Sequence, residues 1–204
     1  MQEIRSFTYQ ILKGCSEMHA KHIVHRDLKL ENVLLADNGV VKIADFGASK
    51  VIEPGSCQNT PYVVSRYYRA PELILATTEY GPEIDIWAVG CMIFHFVTGT
   101  PLFPGDSEGM QILEQAAALG FPDEDELTRM KSKIPANSFD FFKQLKSAYS
   151  GSLKGADMDK IFECYIPNQK DRSDCIELML LCLKWVPQER ITALQALSHP
   201  FLQP

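Results

Sequence analysis

Two short polar strings carry residue types able to handle protons, cations and anionic groups. The first, His25-Arg26-Asp27-Leu28-Lys29-Leu30-Glu31-Asn32, interleaves carboxylates, basic side chains and an amide. The second, Asp45-Phe46-Gly47, adds another carboxylate a short way downstream. A carboxylate can orient a hydroxyl and accept its proton. Hard divalent cations prefer carboxylate and amide oxygens, and a nearby lysine or arginine offsets developing negative charge. A third string, Ala70-Pro71-Glu72, follows. Each string is weak alone, because tripeptides recur by chance, and their fixed order along one chain is what carries weight.

In that order and spacing the strings resemble the signature set of eukaryotic protein kinases. The resemblance implies ATP and Mg²⁺ as cofactors and protein Ser/Thr hydroxyls as substrates. It makes Asp27 the carboxylate that orients the attacking hydroxyl and takes its proton, and Lys29 the cation beside the transferring phosphoryl group. Lys29, two residues after Asp27, is the Ser/Thr-kinase pattern. Asn32 and Asp45 become the metal ligands, Leu34 the apolar floor beneath adenine, and Glu31 a neighbour of the ribose. Architectural roles are implied as well. Glu72 and Arg190 would form a buried ion pair, Asp85 would hold the backbone of the catalytic loop, and Arg69 would be structural.

The run Tyr62-Val63-Val64-Ser65-Arg66-Tyr67-Tyr68-Arg69-Ala70-Pro71-Glu72-Leu73-Ile74 resembles the group that holds cyclin-dependent, mitogen-activated and glycogen synthase kinase-3 kinases. Phe46-Gly47-Ala48-Ser49-Lys50, Ser65-Arg66-Tyr67-Tyr68 and Phe103-Pro104-Gly105-Asp106-Ser107 are most similar to the glycogen synthase kinase-3 family within it. That resemblance implies that Arg26 and Lys50 help bind a phosphate already present on the substrate. It also implies that Tyr62 is phosphorylated within an activation segment over residues 45–72, and that residues from about 121 to 172 are a group-specific insert. Two features depart from the pattern: the loop before Tyr62 is one residue longer, and Leu30 stands where the group has proline. Thr60-Pro61-Tyr62 resembles instead the dual phosphorylation motif of the Jun N-terminal kinases, so a mitogen-activated type stays open.

Behind these strings, periodicity predicts the elements that must position them. Ile4, Phe7, Ile11, Leu12, Cys15 and Met18 recur at helical spacing and predict a helix over residues 3–20. Val33-Leu34-Leu35 and Val40-Val41-Lys42-Ile43 flank Asp37-Asn38-Gly39, which predicts a small antiparallel hairpin closed by a two-residue Asn-Gly turn. Residues 54–71 are polar and without period. Helical patterns return over 82–98, 107–119, 174–185 and 192–198, while 121–172 mixes short helical pieces with Pro122, Pro135 and Pro167 and yields no single path. The fold class expected is mostly α with a small β-hairpin, a protein-kinase-like C-terminal lobe forming one incomplete domain over 1–204. No Gly-x-Gly-x-x-Gly loop or Val-Ala-Ile-Lys-like strand stands ahead of residue 25, so the N-terminal β-rich lobe is expected to be absent and this chain alone to transfer little phosphate. A lobe-only protein that binds partners without catalysis is the alternative.

Composition bounds the remaining classes. With 204 residues, 46% of them hydrophobic, the chain can bury one substantial core. Its 26 acidic against 20 basic residues argue against a nucleic-acid surface. The six cysteines lack zinc or disulfide-scaffold spacing and read as reduced thiols. The first residues lack a signal-peptide pattern, and the most apolar stretch, 84–97, contains Asp85 and His95 and falls short of the roughly 20 residues of a membrane span. A buried core helix and a cytoplasmic or nuclear protein are expected, with an exposed apolar surface around Leu34, Ala44 and Phe46.

Overall fold

The computed structural model describes residues 1–52, 66–131 and 133–203. Its centre is helix α3, Glu83–Thr98, in which nearly every residue from Ile84 to Phe94 is buried. A helix apolar on all sides must be surrounded, and α3 is flanked by α1 (Gln2–His19) and α8 (Gln169–Cys182). Gly90 lets α8 approach closely, because a Cβ there would stand 2.7 Å from Leu183 Cγ and 2.9 Å from Cys182 Cβ. Trp87, Met92 and Ile93 are wholly enclosed, and each contributes about 1.5–3 kcal/mol by leaving water. The predicted first helix is present, with Thr8, Ile11, Leu12 and Cys15 on its buried face. No helix among the described residues is long and apolar enough to cross a membrane.

Strands are few. β1 (Ile23–Val24) pairs antiparallel with β4 (Lys50–Val51), and β2 (Val33–Leu35) with β3 (Val41–Ile43) in the register Val33↔Ile43. The predicted hairpin is therefore present, but its turn is different. A two-residue Asn-Gly turn needs positive φ at both residues, whereas Gly39 has φ +77 and Asn38 is not left-handed. The Ala36 N–H donates to Val40 O and the Gly39 N–H to Ala36 O, both at 2.9 Å, which makes Asp37-Asn38-Gly39 a three-residue loop ending in a left-handed glycine. The β1–β4 ladder went unpredicted, since two residues are too short to show a period.

The second half is helical: α2 (Pro71–Ile74) precedes α3, and α4 (Glu108–Leu119), α5 (Glu124–Lys131), α6 (Ala136–Tyr149) and α7 (Met158–Glu163) follow it. Among the described residues, 121–172 thus hold α5, α6, α7 and the first turn of α8 where no path was read. They are pinned from outside themselves: Phe142 packs edge-on against Trp185 at 5.7 Å, and Trp185 Nε1 donates to Gly120 O at 2.9 Å. α8 begins five residues before the predicted 174 because Asn168 caps it, Oδ1 accepting from the Asp171 N–H at 2.9 Å, and it ends at Cys182 rather than 185. α9 (Ala193–Ala196) carries a full capping box between Thr192 and Gln195.

Ala76, just beyond α2, has φ +58. Left-handed backbone costs a residue with a Cβ about 1–2 kcal/mol, only partly matched by the greater unfolded-state freedom of glycine. Ala76→Gly is expected to stabilise the chain by about 1 kcal/mol, read as a rise in the urea midpoint at constant slope. An unchanged or lower midpoint would show that the strain is already relieved.

Candidate functional site

The site is built outward from one carboxylate at the start of α3. Asp85 is 1% exposed. Its Oδ2 accepts the His25 N–H at 2.8 Å and lies 3.0 Å from His19 Nε2, and its Oδ1 accepts the Arg26 N–H at 2.9 Å. Two successive backbone donors aimed at one carboxylate force a sharp path, and Arg26 has φ +71. Non-glycine residues persist in such a conformation where their surroundings over-determine it.

That path sets up the next residues. Lys29 Nζ lies 2.9 Å from Asp27 Oδ2. Asn32 Nδ2 donates to Asp27 O at 2.9 Å and to Asp27 Oδ2 at 3.3 Å. Because both bonds come from its nitrogen, the amide oxygen of Asn32 is turned away from Asp27. Asp27, Lys29 and Asn32 thus form one cluster, with Asn32 buried.

The Asp45 segment is tied to this cluster at two points. The Ala44 N–H donates to Asn32 O at 2.8 Å, and the Ala44 carbonyl accepts from His25 Nε2 at 3.0 Å. His25 Nδ1 accepts the Asp27 N–H at 3.3 Å, so the ring is the Nε2–H tautomer and joins the two strings. Phe46 packs edge-on to it, centroids 5.1 Å apart. His25 had no role assigned from the sequence. Its only signal there is adjacency to Arg26, since a fully buried histidine is recognised by its partners in space. Asp45 itself has φ +60, is exposed, and accepts the Gly47 N–H through Oδ1 at 3.3 Å.

A divalent cation fits this donor set. Asn32 Oδ1 and Asp45 Oδ2 are hard oxygens with no protein donor among the described residues. No group of three or more His, Cys, Asp or Glu gathers among those residues, so a cation held here would complete its shell with phosphate oxygens and water, the habit of Mg²⁺.

Two anchors surround the cluster. Arg190 Nη1 and Nη2 donate to Glu72 Oε1 and Oε2 at 2.6 and 2.7 Å, with side chains 0% and 6% exposed. Nη1 also donates to Glu83 O and Nε to Lys184 O, and the guanidinium lies 5.0 Å from the Trp87 ring centroid. Arg69 is buried, its carbonyl accepts from Gln115 Nε2 at 3.0 Å, and burial pulls its guanidinium below the usual range, opposed by Glu108. Tyr68 precedes it, its hydroxyl 3.0 Å from His95 Nδ1 and its phenol raised mainly by burial and then by Glu31. The second anchor holds Arg26, whose Nε donates to Ala48 O at 2.5 Å and Nη1 to the Tyr80 hydroxyl at 3.1 Å. Lys50 faces Val24 across the β1–β4 ladder, which sets it beside the Arg26 segment.

Comparison of the sequence with known proteins points to one family: the protein kinase domain aligns with residues 1–202. The chain belongs to the protein kinase family. Protein kinase gsk3 of Schizosaccharomyces pombe is 35% identical over 202 residues, covering 98% of this chain and 48% of that protein. Mitogen-activated protein kinase HOG1 of Debaryomyces hansenii is 37% identical over 203 residues, 100% of this chain and 49% of its own. Cyclin-dependent kinase F-3 of Oryza sativa is 40% identical over 200 residues, 98% and 42% respectively. The chain spans about half the length of the curated relatives it matches.

Other sequence expectations of this kinase chain fall at the edge of the site. Of the apolar surface expected around Leu34, Ala44 and Phe46, Leu34 is 55% exposed and Phe46 48%, while Ala44 is half-buried; Glu31 is exposed. Tyr62 and Cys57 lie outside the described residues. Among the described residues the other five cysteines are free thiols. Burial pushes Cys175 and Cys182 up to about 12 and holds Cys15 and Cys91 well above the ordinary thiol range, which keeps these thiols protonated and unreactive.

Proposed function

We propose that the chain supplies the catalytic and metal-binding half of an ATP-dependent kinase acting on protein Ser/Thr hydroxyls, of the glycogen synthase kinase-3 type, with a preference for substrates already carrying a phosphate. The observation that carries this reading is Asp27 held between Lys29 Nζ and Asn32 Nδ2 with the Asn32 oxygen directed elsewhere. One oxygen-rich corner then separates into a proton acceptor and a metal ligand.

In this reading Asp27 orients the substrate hydroxyl and takes its proton. Lys29 brings positive charge to within 2.9 Å of that carboxylate, where negative charge builds on a phosphoryl group. Asn32 does two tasks, fixing Asp27 through its nitrogen and offering its oxygen with Asp45 to Mg²⁺. When bound, Mg²⁺ would neutralise charge on the phosphates of ATP. Exposed Leu34 and Glu31 would receive adenine and ribose. Arg26 and Lys50 would bind the phosphate already on the substrate, through charge-assisted bonds.

A mitogen-activated type is the second reading, favoured by the HOG1 relatives and by Thr60-Pro61-Tyr62. The test is transfer of labelled γ-phosphate to Ser/Thr peptides with and without a downstream phosphoserine, by this chain and by one extended at its start with a glycine-rich loop and a lysine-bearing strand. Transfer by the extended chain, far less by the 204 residues alone, and faster on the phosphorylated peptide is expected. Equal rates on both peptides would favour the second reading. No transfer by any form would leave a binding role and sink the enzymatic one.

A further inference from the structure

The Arg26 side chain is fixed by more than its place in the catalytic loop. Asp85 Oδ1 accepts its backbone N–H, its Nε donates to Ala48 O, and its Nη1 donates to the Tyr80 hydroxyl. Tyr80 stands three residues ahead of α3 and Asp85 lies in its first turn, on one short stretch of chain. That stretch therefore sets the left-handed backbone of Arg26 with one residue and the direction of its guanidinium with another. Tyr80 is buried in the main core with Leu28 and Ile84, so its hydroxyl cannot follow a wandering arginine. A guanidinium is a planar fork with donors in fixed directions, and restraining Nε and one Nη orients the whole plane.

We propose that Tyr80 is a positioning residue that aims the Arg26 guanidinium at a phosphate shared with Lys50, and so sets how strongly the chain prefers a phosphorylated protein segment. The proposal rests on the phosphate-binding reading of Arg26 and Lys50 given above. Its physical basis is preorganisation. A long side chain loses rotamer freedom when it grips a ligand, and a fork already oriented by the protein loses less. No motif pointed to Tyr80, because it stands 54 residues from Arg26 in the chain.

Two measurements on the full chain separate the proposal from the reading beneath it. Arginine ¹⁵Nε NMR of the free chain needs no ligand: Tyr80→Phe is expected to shift the Arg26 Nε–H resonance and speed its exchange with water, the resonance being identified by its loss in Arg26→Lys. Fluorescence anisotropy then compares a phosphoserine peptide with its unphosphorylated twin. Wild type is expected to prefer the phosphopeptide, Lys50→Ala to lose most of that preference, and Tyr80→Phe to lower it about tenfold, the factor carried by roughly 1.4 kcal/mol. Twins bound alike by wild type would overturn the phosphate site and, with it, the binding half of the proposal. An Arg26 resonance unmoved by Tyr80→Phe, or a preference kept by Tyr80→Phe and lost by Lys50→Ala, would overturn the role of Tyr80. Equal weakening of both peptides together with a lower melting midpoint would make Tyr80 a structural support only, which also overturns it.

Discussion

Arg190→Met is expected to lower the unfolding free energy by about 3–5 kcal/mol, because it leaves the Glu72 carboxylate buried without its partner. The pair is bidentate, almost fully enclosed, and joins α2 to the segment before α9 across 118 residues. A folded domain has about 5–15 kcal/mol in total, so this one change removes a large share of it. Glu72→Leu alone is expected to be similarly costly, since it strands the guanidinium. The double variant Glu72→Leu/Arg190→Met should lose much less than the sum, because replacing a buried pair by packed apolar groups is often close to neutral. Urea denaturation with a common slope gives all three values. The exposed Lys170–Asp174 pair is the control: Lys170→Ala should move the midpoint little. A loss for Arg190→Met no larger than for Lys170→Ala would mean that the Glu72–Arg190 pair does not anchor the fold.

Asp27→Asn is expected to slow phosphoryl transfer by about 10²–10⁴-fold in any chain length where transfer can be measured. The substitution keeps the shape of the side chain and removes its capacity to take a proton. Among the described residues Asp27 makes its side-chain contacts with Lys29 and Asn32 within the same loop and pins no distant element, so the melting midpoint should stay within a few degrees of wild type. The split between lost rate and kept stability is the signature of a chemical role. Asp85→Asn should do the opposite, losing rate and stability together, because Asp85 accepts two backbone N–H groups and faces His19. If Asp27→Asn retained full rate, the assignment of Asp27 as proton acceptor would fail.

Much of the site was legible in one dimension, for reasons that are local or chemical. Asp27, Lys29 and Asn32 lie within six residues, so a loop of any reasonable shape keeps them neighbours. α1 and α3 announced themselves through periodicity and length. The partnership of Glu72 with Arg190 was legible only through resemblance, because nothing local relates positions 118 residues apart. The helices of residues 121–172 were not legible. α6 buries only Phe139 and Phe142 among its described side chains, too narrow a stripe for a period to register, and its order comes from contact with Trp185 on a later segment.

What the sequence determined by itself was therefore the chemistry: which carboxylates, amide and cations are present, in which order, and on which short segments. What tertiary structure decided was their orientation. The turn of Asn32 that faces its nitrogen to Asp27 and its oxygen outward, the His25 bridge to Ala44, the left-handed backbone of Arg26 under Asp85, and the Tyr80 hydroxyl on the Arg26 fork all arise from groups brought together by the burial of α3. Residue identity is written along the chain. Hydrogen-bond direction depends on which buried partner lies opposite, and only the packed core supplies that partner.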